Sequence, residues 1–174
     1  DTLSQDWPED PELPNEGVQF DAVVMNPPYS VKNWNRSGLK PSDPRFEIAG
    51  VLPPDSKGDF AFLLHGLYHL GTHGTMAIVL PHGVLFRGAA EGEIRRRLLE
   101  KNQIDAVIGL PSNLFTNTGI PVCIIILKKN RDLNEPVLFV DASRNFIKAG
   151  KQNALQEKDI AKIVDVYTNR TEED

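Results

Sequence analysis

Apolar residues fall in short runs separated by turn-forming stretches. The runs at 20–25, 75–80, 104–110, 122–127 and 136–141 are rich in β-branched residues and bounded by Gly, Pro, Asn or charged residues, which predicts strands. The first reads as a buried parallel strand and the fifth as a short edge strand. Three further segments repeat apolar residues at helical spacing. One covers 60–70, with Asp59 as its N-cap and Gly71 as its stop. A second covers 89–102, with Ile94, Leu98 and Leu99 on one side. A third covers 153–167, where Leu155, Ile160, Ile163, Val164 and Tyr167 form one amphipathic face. Strands alternating with helices imply an α/β layered fold.

The connections add detail. Residues 1–17 are rich in Pro, Asp and Glu and read as a loop, 18–140 as the α/β core, and 141–174 as a C-terminal extension carrying the last helix. The stretch 71–74, Gly-Thr-His-Gly, predicts a turn, and 128–132 the exposed end of the fourth strand. Between 30 and 56 no period is sustained, and so long a connection inside a compact domain is usually functional. It is expected to be a mobile loop in which Lys32, Arg36, Lys40 and Arg45 lie on a solvated surface or meet phosphates.

Composition narrows the function. At 174 residues and 40% hydrophobic content the chain can bury a sizeable core. No apolar run approaches the length of a membrane span and no signal-peptide pattern is present, so no membrane partner is expected. The single cysteine, Cys123, lies within an apolar run and reads as a buried thiol of a reduced, cytoplasmic protein. A net charge of −5 argues against this piece gripping DNA by itself, because such affinity comes mainly from Lys and Arg. The first residue is Asp, which reads as the start of an excised segment.

The chemistry concentrates in Asn26-Pro27-Pro28-Tyr29, directly after the first strand. In open α/β sheets ligands bind at the carboxyl ends of strands. An exocyclic amino group on a base is a poor nucleophile because its lone pair is delocalised into the ring. Two acceptors set against its hydrogens, the Asn26 side-chain oxygen and the Pro27 carbonyl, would favour the more nucleophilic nitrogen. Proline fixes φ and brings no competing N–H, and Tyr29 offers a flat face for an extruded base. The plainer alternative is a proline-stiffened turn whose aromatic plugs the core.

Other candidates are weaker. His65 and His69 share a helix face, but no Glu follows the first and no third ligand is evident, so no metal is expected. Glu91 and Glu93 sit four residues before Arg95 and Arg97, so Arg95, Arg96 and Arg97 read as a salt-bridged, solvated face, with a contact to DNA phosphates or to a partner as the alternative. The sheet looks incomplete, since no Gly-rich turn joins a strand to a helix and no acidic residue follows at the spacing a ribose needs.

Asn-Pro-Pro-Tyr resembles the signature of amino-methyltransferases that use S-adenosylmethionine. The longer words Asp59-Phe60-Ala61-Phe62-Leu63-Leu64-His65, Leu80-Pro81-His82-Gly83-Val84-Leu85-Phe86-Arg87-Gly88 and Gly119-Ile120-Pro121 resemble the modification subunit of type I restriction-modification systems, from Asp1-Thr2-Leu3 to Val140-Asp141-Ala142-Ser143. The resemblance implies a partial Rossmann-like, S-adenosylmethionine-dependent methyltransferase fold holding roughly the later four of seven strands. It implies adenine-N6 methylation of double-stranded DNA, with a DNA-specificity subunit, a restriction subunit and a second modification subunit as partners. Carried over by position, Asn26, Pro27, Pro28 and Tyr29 match the catalytic motif, and Asn26 and Asp1 match positions near the cofactor. Asn117 stands where a small glycine is expected. The family's upstream glycine-rich cofactor loop is absent, so the isolated segment is expected to be inactive. Cytosine-N4 or protein-glutamine methylation uses the same acceptors on an NH2 group, and a non-catalytic assembly module is the reading from a different class.

Overall fold

The computed structural model describes residues 2–4, 10–13, 16–34, 36–116 and 118–171. In chain order the elements are β1 (Phe20–Met25), α1 (Asp59–Tyr68), β2 (Leu70–Pro81), a 3-10 turn (His82–Leu85), α2 (Ala89–Glu100), β3 (Ile104–Gly109), β4 (Val122–Lys128), β5 (Leu138–Asp141), β6 (Ile147–Ala149), β7 (Gln152–Ala154) and α3 (Glu157–Asn169). Five strands form one sheet in the order β1-β2-β4-β3-β5, and β6 pairs with β7 as a separate hairpin. β1 runs parallel to β2, and β5 parallel to β3, while β4 lies antiparallel between β2 and β3.

Period-two alternation sorts the side chains onto two faces. On one face Met76, Ile78 and Leu80 of β2 and Cys123, Ile125 and Leu127 of β4 pack with Leu63, Leu64 and Leu67 of α1 and Ile94 and Leu98 of α2. On the other, Ala106, Ile108, Val122 and Ile126 meet Ile163 and Tyr167 of α3. α1 is apolar almost all round and correspondingly buried. It approaches the sheet closely at Gly66, where a Cβ would come within 2.6 Å of the Met25 sulfur. Burial pushes the Cys123 thiol up to about 12, so it stays protonated and inert in the core.

Several expectations need correcting. β1 is parallel as expected but not buried. It is an edge strand, and Val24 is 86% exposed because nothing among the described residues covers its outer face, whereas Val23 and Met25 pack inward. Residues 71–74 belong to β2: between the pairs Phe20↔Leu70 and Ala22↔Thr75 the register shifts, so the expected turn is absorbed as an irregularity within the strand. A Cβ on Gly74 there would sit 2.8 Å from the Phe20 carbonyl oxygen. Gly74→Ala is expected to destabilise the chain by about 1–3 kcal/mol through overpacking against backbone, read as a lowered midpoint of chemical denaturation.

The connection 30–58 is not a loose lid. Trp34, Phe46, Ala49 and Leu52 are buried in the main core, and Trp34 donates from Nε1 to the Pro54 carbonyl at 2.9 Å. Arg45 is 2% exposed, donating to Asp43 and to the Thr2 and Leu3 carbonyls, so it is unavailable to phosphates. Asp59 is the first residue of α1, whose N-cap is Gly58. The segment after β4 is not simply exposed either. Lys129 reaches the Tyr68 and Leu70 carbonyls at the end of α1, and Arg131 is buried against Asp105.

Asp105 is fully buried and meets Arg131 Nε at 3.0 Å, Lys128 Nζ at 3.1 Å, Arg170 Nη2 at 2.5 Å and the Tyr167 hydroxyl at 2.7 Å. Burial raises its carboxyl pKa, but the hydrogen bonds from Tyr167 and Lys128 outweigh it and leave the group below the usual carboxylate range. This cluster fastens α3 to β3. Of the apolar face expected on that helix, Ile163 and Tyr167 pack inward, while Ile160 and Val164 are half exposed because the helix is rotated to bury Val166. Arg96 and Arg97 pair with Glu93 and Glu100 as expected of a solvated face. Arg95 instead donates to the Val84 carbonyl, and Glu91 pairs with Arg87.

Candidate active site at the carboxyl edge of the sheet

β1, β2, β3 and β5 all end on the same side of the sheet. Asn26 follows β1, His82 follows β2, Leu110 follows β3, and Asp141 closes β5. Proline at 27 and 28 ends β1 abruptly because neither residue can donate to a ladder. Pro27 is buried and Asn26 and Pro28 are exposed, which seats the turn on the core while presenting Asn26 outward.

The Tyr29 hydroxyl donates to Asn26 Oδ1 at 2.8 Å. Burial, and secondarily the nearby Cys123, raises the Tyr29 pKa, so the phenol stays protonated and keeps its donor. An amide oxygen has two lone pairs; one is held by Tyr29, which fixes the amide's orientation and leaves the other for an incoming donor. The Tyr29 ring packs, partly buried, on the core cluster that Ala77, Val79 and Ile124 also flank, and meets Phe115 edge-on, with centroids 6.0 Å apart and planes at 78°.

Phe115 gained no role from sequence, where it was one aromatic in a polar loop. Its loop is held firmly in place. Leu110 N–H donates to the Val122 carbonyl and His82 N–H to the Pro121 carbonyl, both at 3.0 Å, closing the two ends. Asn153 of β7 donates from its backbone to the Asn113 carbonyl at 2.8 Å and from Nδ2 to the Ser112 carbonyl at 2.7 Å. The small hairpin therefore braces the loop that carries Phe115.

A buried ionic group lies behind the tetrapeptide. Asp59 accepts from the Ser30 N–H at 2.6 Å and from Arg87 Nη2 at 2.6 Å, and Arg87 also donates through Nε to Glu91 at 2.6 Å. Burial depresses the Arg87 pKa, but these carboxylates more than offset it, so the guanidinium stays charged. His65 and His69 stack edge-on at 4.6 Å, and the His69 Nδ1 lies 2.8 Å from the Val18 carbonyl. Among the described residues no cluster of three or more His, Cys, Asp or Glu could hold a metal. No described helix is long and apolar enough to cross a membrane. Asp1 and Asn117 lie outside the described residues.

The family model described as N-6 DNA Methylase matches residues 1–174. The chain belongs to the N-6 DNA methylase family. It is 50% identical over 157 residues to the type I restriction enzyme MpnII methylase subunit of Mycoplasma pneumoniae, covering 88% of this chain and 28% of that protein. It is 35% identical to the HindI methylase subunit of Haemophilus influenzae, with 84% of this chain and 33% of that protein covered. The crystal structure of the type I restriction-modification methyltransferase subunit from Streptococcus thermophilus superposes with a TM-score of 0.91 at 55% identity, over all of this chain and 36% of that one. A Listeria monocytogenes protein described as a class I S-adenosylmethionine-dependent methyltransferase shares the fold at a TM-score of 0.55 and 18% identity, over 87% of this chain and 43% of that one. The partial, Rossmann-like α/β reading is thus borne out, and the chain spans roughly a third of the length of the relatives it matches.

Proposed function

We propose that the intact protein is an adenine-N6 DNA methyltransferase subunit of a type I restriction-modification system, and that this segment supplies the surface that receives the target base. The observation that carries the reading is the Tyr29 hydroxyl pinning Asn26 Oδ1 at the end of a strand, beside a second aromatic ring on a braced loop. Family membership supports the chemistry.

The residues here fit the acceptor side of a methyl transfer: an oriented amide oxygen, a proline-fixed turn and two aromatic rings. S-adenosylmethionine, when bound, supplies an activated methyl group. Asn26 Oδ1 accepts a hydrogen of the target amino group through its remaining lone pair, and the Pro27 carbonyl accepts the other. Tyr29 offers one stacking face to the extruded adenine and Phe115 borders it. The contribution is positioning and electrostatics, and the reaction needs no covalent nucleophile. Asn26, with Asp1, borders the cofactor. Recognition of double-stranded DNA falls to a specificity subunit, in keeping with the net charge of −5, and a restriction subunit and a second modification subunit complete a cytoplasmic assembly.

Incubating the intact subunit and its specificity subunit with tritiated S-adenosylmethionine and unmethylated genomic DNA, then digesting to nucleosides, tests this reading. Label in N6-methyladenine is expected. Label in N4-methylcytosine, in protein glutamine, or in neither would refute it.

A further inference from the structure

We infer that Asp59 is a positioning residue for methyl transfer, holding the tetrapeptide in register from behind through the Ser30 N–H. The inference rests on the base-site reading above.

Ser30 is the first residue after Tyr29, and its φ is 51°, the left-handed region that non-glycine residues adopt only when their surroundings hold them there. What holds it is a carboxylate with no solvent exposure. Asp59 accepts the Ser30 N–H at 2.6 Å and lies 3.4 Å from the Ser30 hydroxyl. Charge-assisted bonds of this kind are the strong ones. The neighbouring ties are neutral: Gly58 N–H to the Val31 carbonyl at 2.8 Å and Asn33 N–H to the Asp55 carbonyl at 2.9 Å. The chain leaving the site is thus laid residue by residue along the approach to α1, with the one charge placed next to Tyr29.

Asp59 is itself held. As the first residue of α1 it sits at the positive end of the helix dipole. On its other side Arg87 bridges it to Glu91, which is buried at the start of α2. Two carboxylates share one guanidinium, and the helix terminus and the Ser30 N–H compensate the second negative charge. One buried network therefore joins the exit of β1, the start of α1, the end of the 3-10 turn and the first turn of α2. A cap for α1 alone would need none of the contacts to Arg87 or Ser30. Losing the Ser30 contact would let that residue relax toward ordinary backbone, and the Tyr29 ring and the Asn26 amide it orients would shift with it.

The test uses the intact subunit with its specificity subunit, tritiated S-adenosylmethionine and unmethylated genomic DNA, and compares Asp59→Ala, Asp59→Asn and Asn26→Ala. Three quantities are measured: methyl transfer at saturating cofactor, the cofactor dissociation constant by calorimetry, and the thermal midpoint. Asp59→Ala is expected to slow transfer by about 10²-fold, the scale of a small misplacement of reacting groups. Its cofactor dissociation constant should stay within about twofold, because the contact at Ser30 lies on the Tyr29 side of the tetrapeptide and leaves the Asn26 backbone at the end of β1 in place. Asp59→Asn keeps an acceptor for the Ser30 N–H and should recover most of the lost rate. Transfer unchanged in Asp59→Ala overturns the inference, as does a rate that falls only in step with cofactor binding and thermal midpoint. If Asp59→Ala does not fold, Asp59→Leu, which fills the space without an acceptor for the Ser30 N–H, takes its place: cofactor binding kept with transfer lowered well below that of Asp59→Asn supports the inference, and wild-type transfer overturns it. Asn26→Ala separates the two levels, because full activity in that variant would remove the base-site reading itself. Loss in Asn26→Ala with none at Asp59 would remove only the positioning role.

Discussion

Asn26→Ala in the intact subunit is expected to lower methyl transfer to adenine by about 10²–10³-fold, the scale seen when one preorganised polar partner of the reacting centre is removed. Raising S-adenosylmethionine to saturation should not restore the rate, since the missing acceptor acts on the base. Tyr29→Phe gives a finer test. It keeps the ring and its packing against Phe115 but removes the hydroxyl that donates to Asn26 Oδ1. A loss of about tenfold is expected, one hydrogen bond's worth of orientation. Because the hydroxyl acts through Asn26, adding Tyr29→Phe to Asn26→Ala should cost nothing further. Independent losses in the double variant would mean that Tyr29 contacts the base directly through its oxygen, and an active Asn26→Ala would dismiss the site.

Asp105→Ala is expected to cost about 3–5 kcal/mol of stability at pH 7, because it strands the buried Arg131 guanidinium without its carboxylate. The pH dependence has a definite sign. The folded-state pKa of Asp105 lies below its ordinary value, so its contribution is fully present above the unfolded pKa and is lost as pH falls through the folded one. Chemical denaturation of wild type and Asp105→Asn should therefore give curves that differ at neutral pH and converge below the usual carboxylate range. A constant difference across that range would show that the carboxylate's charge is not what fastens α3 to β3.

The elements that the sequence made legible were those with a strong local period. The β-branched runs became β1 to β5 and the three helical segments became α1 to α3, with bounds within about four residues except for β2, which starts at Leu70. The tetrapeptide was legible because two consecutive prolines after a strand leave few conformations. Burial was harder. The run 20–25 looks like an interior strand, and only the sheet order reveals that one edge and the Val24 face are open. The segment 30–56 carries no period, yet Trp34 and Phe46 enter the core from it, since irregular backbone can bury aromatics without repeating them. Asp59 and Arg131 escape a sequence reading for one reason: a charged residue at an element's end reads as a cap or a solvated terminus, and its partner, Arg87 or Asp105, lies far along the chain. Phe115 was invisible as a wall of the site because a lone aromatic in a loop has no neighbours in sequence to give it a face.

The antiparallel insertion of β4 between β2 and β3 also dictates an order of assembly. β3 and β4 are joined by one loop and can zip together early, whereas β1 reaches β2 only across the whole 30–58 segment, and β2 reaches β4 only after α2 and β3 have been traversed. Pairings closed over such long stretches form slowly. Phe115 travels with the β3–β4 piece and Tyr29 with the β1–β2 piece, so the two rings meet only when those pieces dock. Their edge-on contact is therefore a late product of folding, and a chain halted one step short would hold nearly all its helices and strands while leaving the two rings apart.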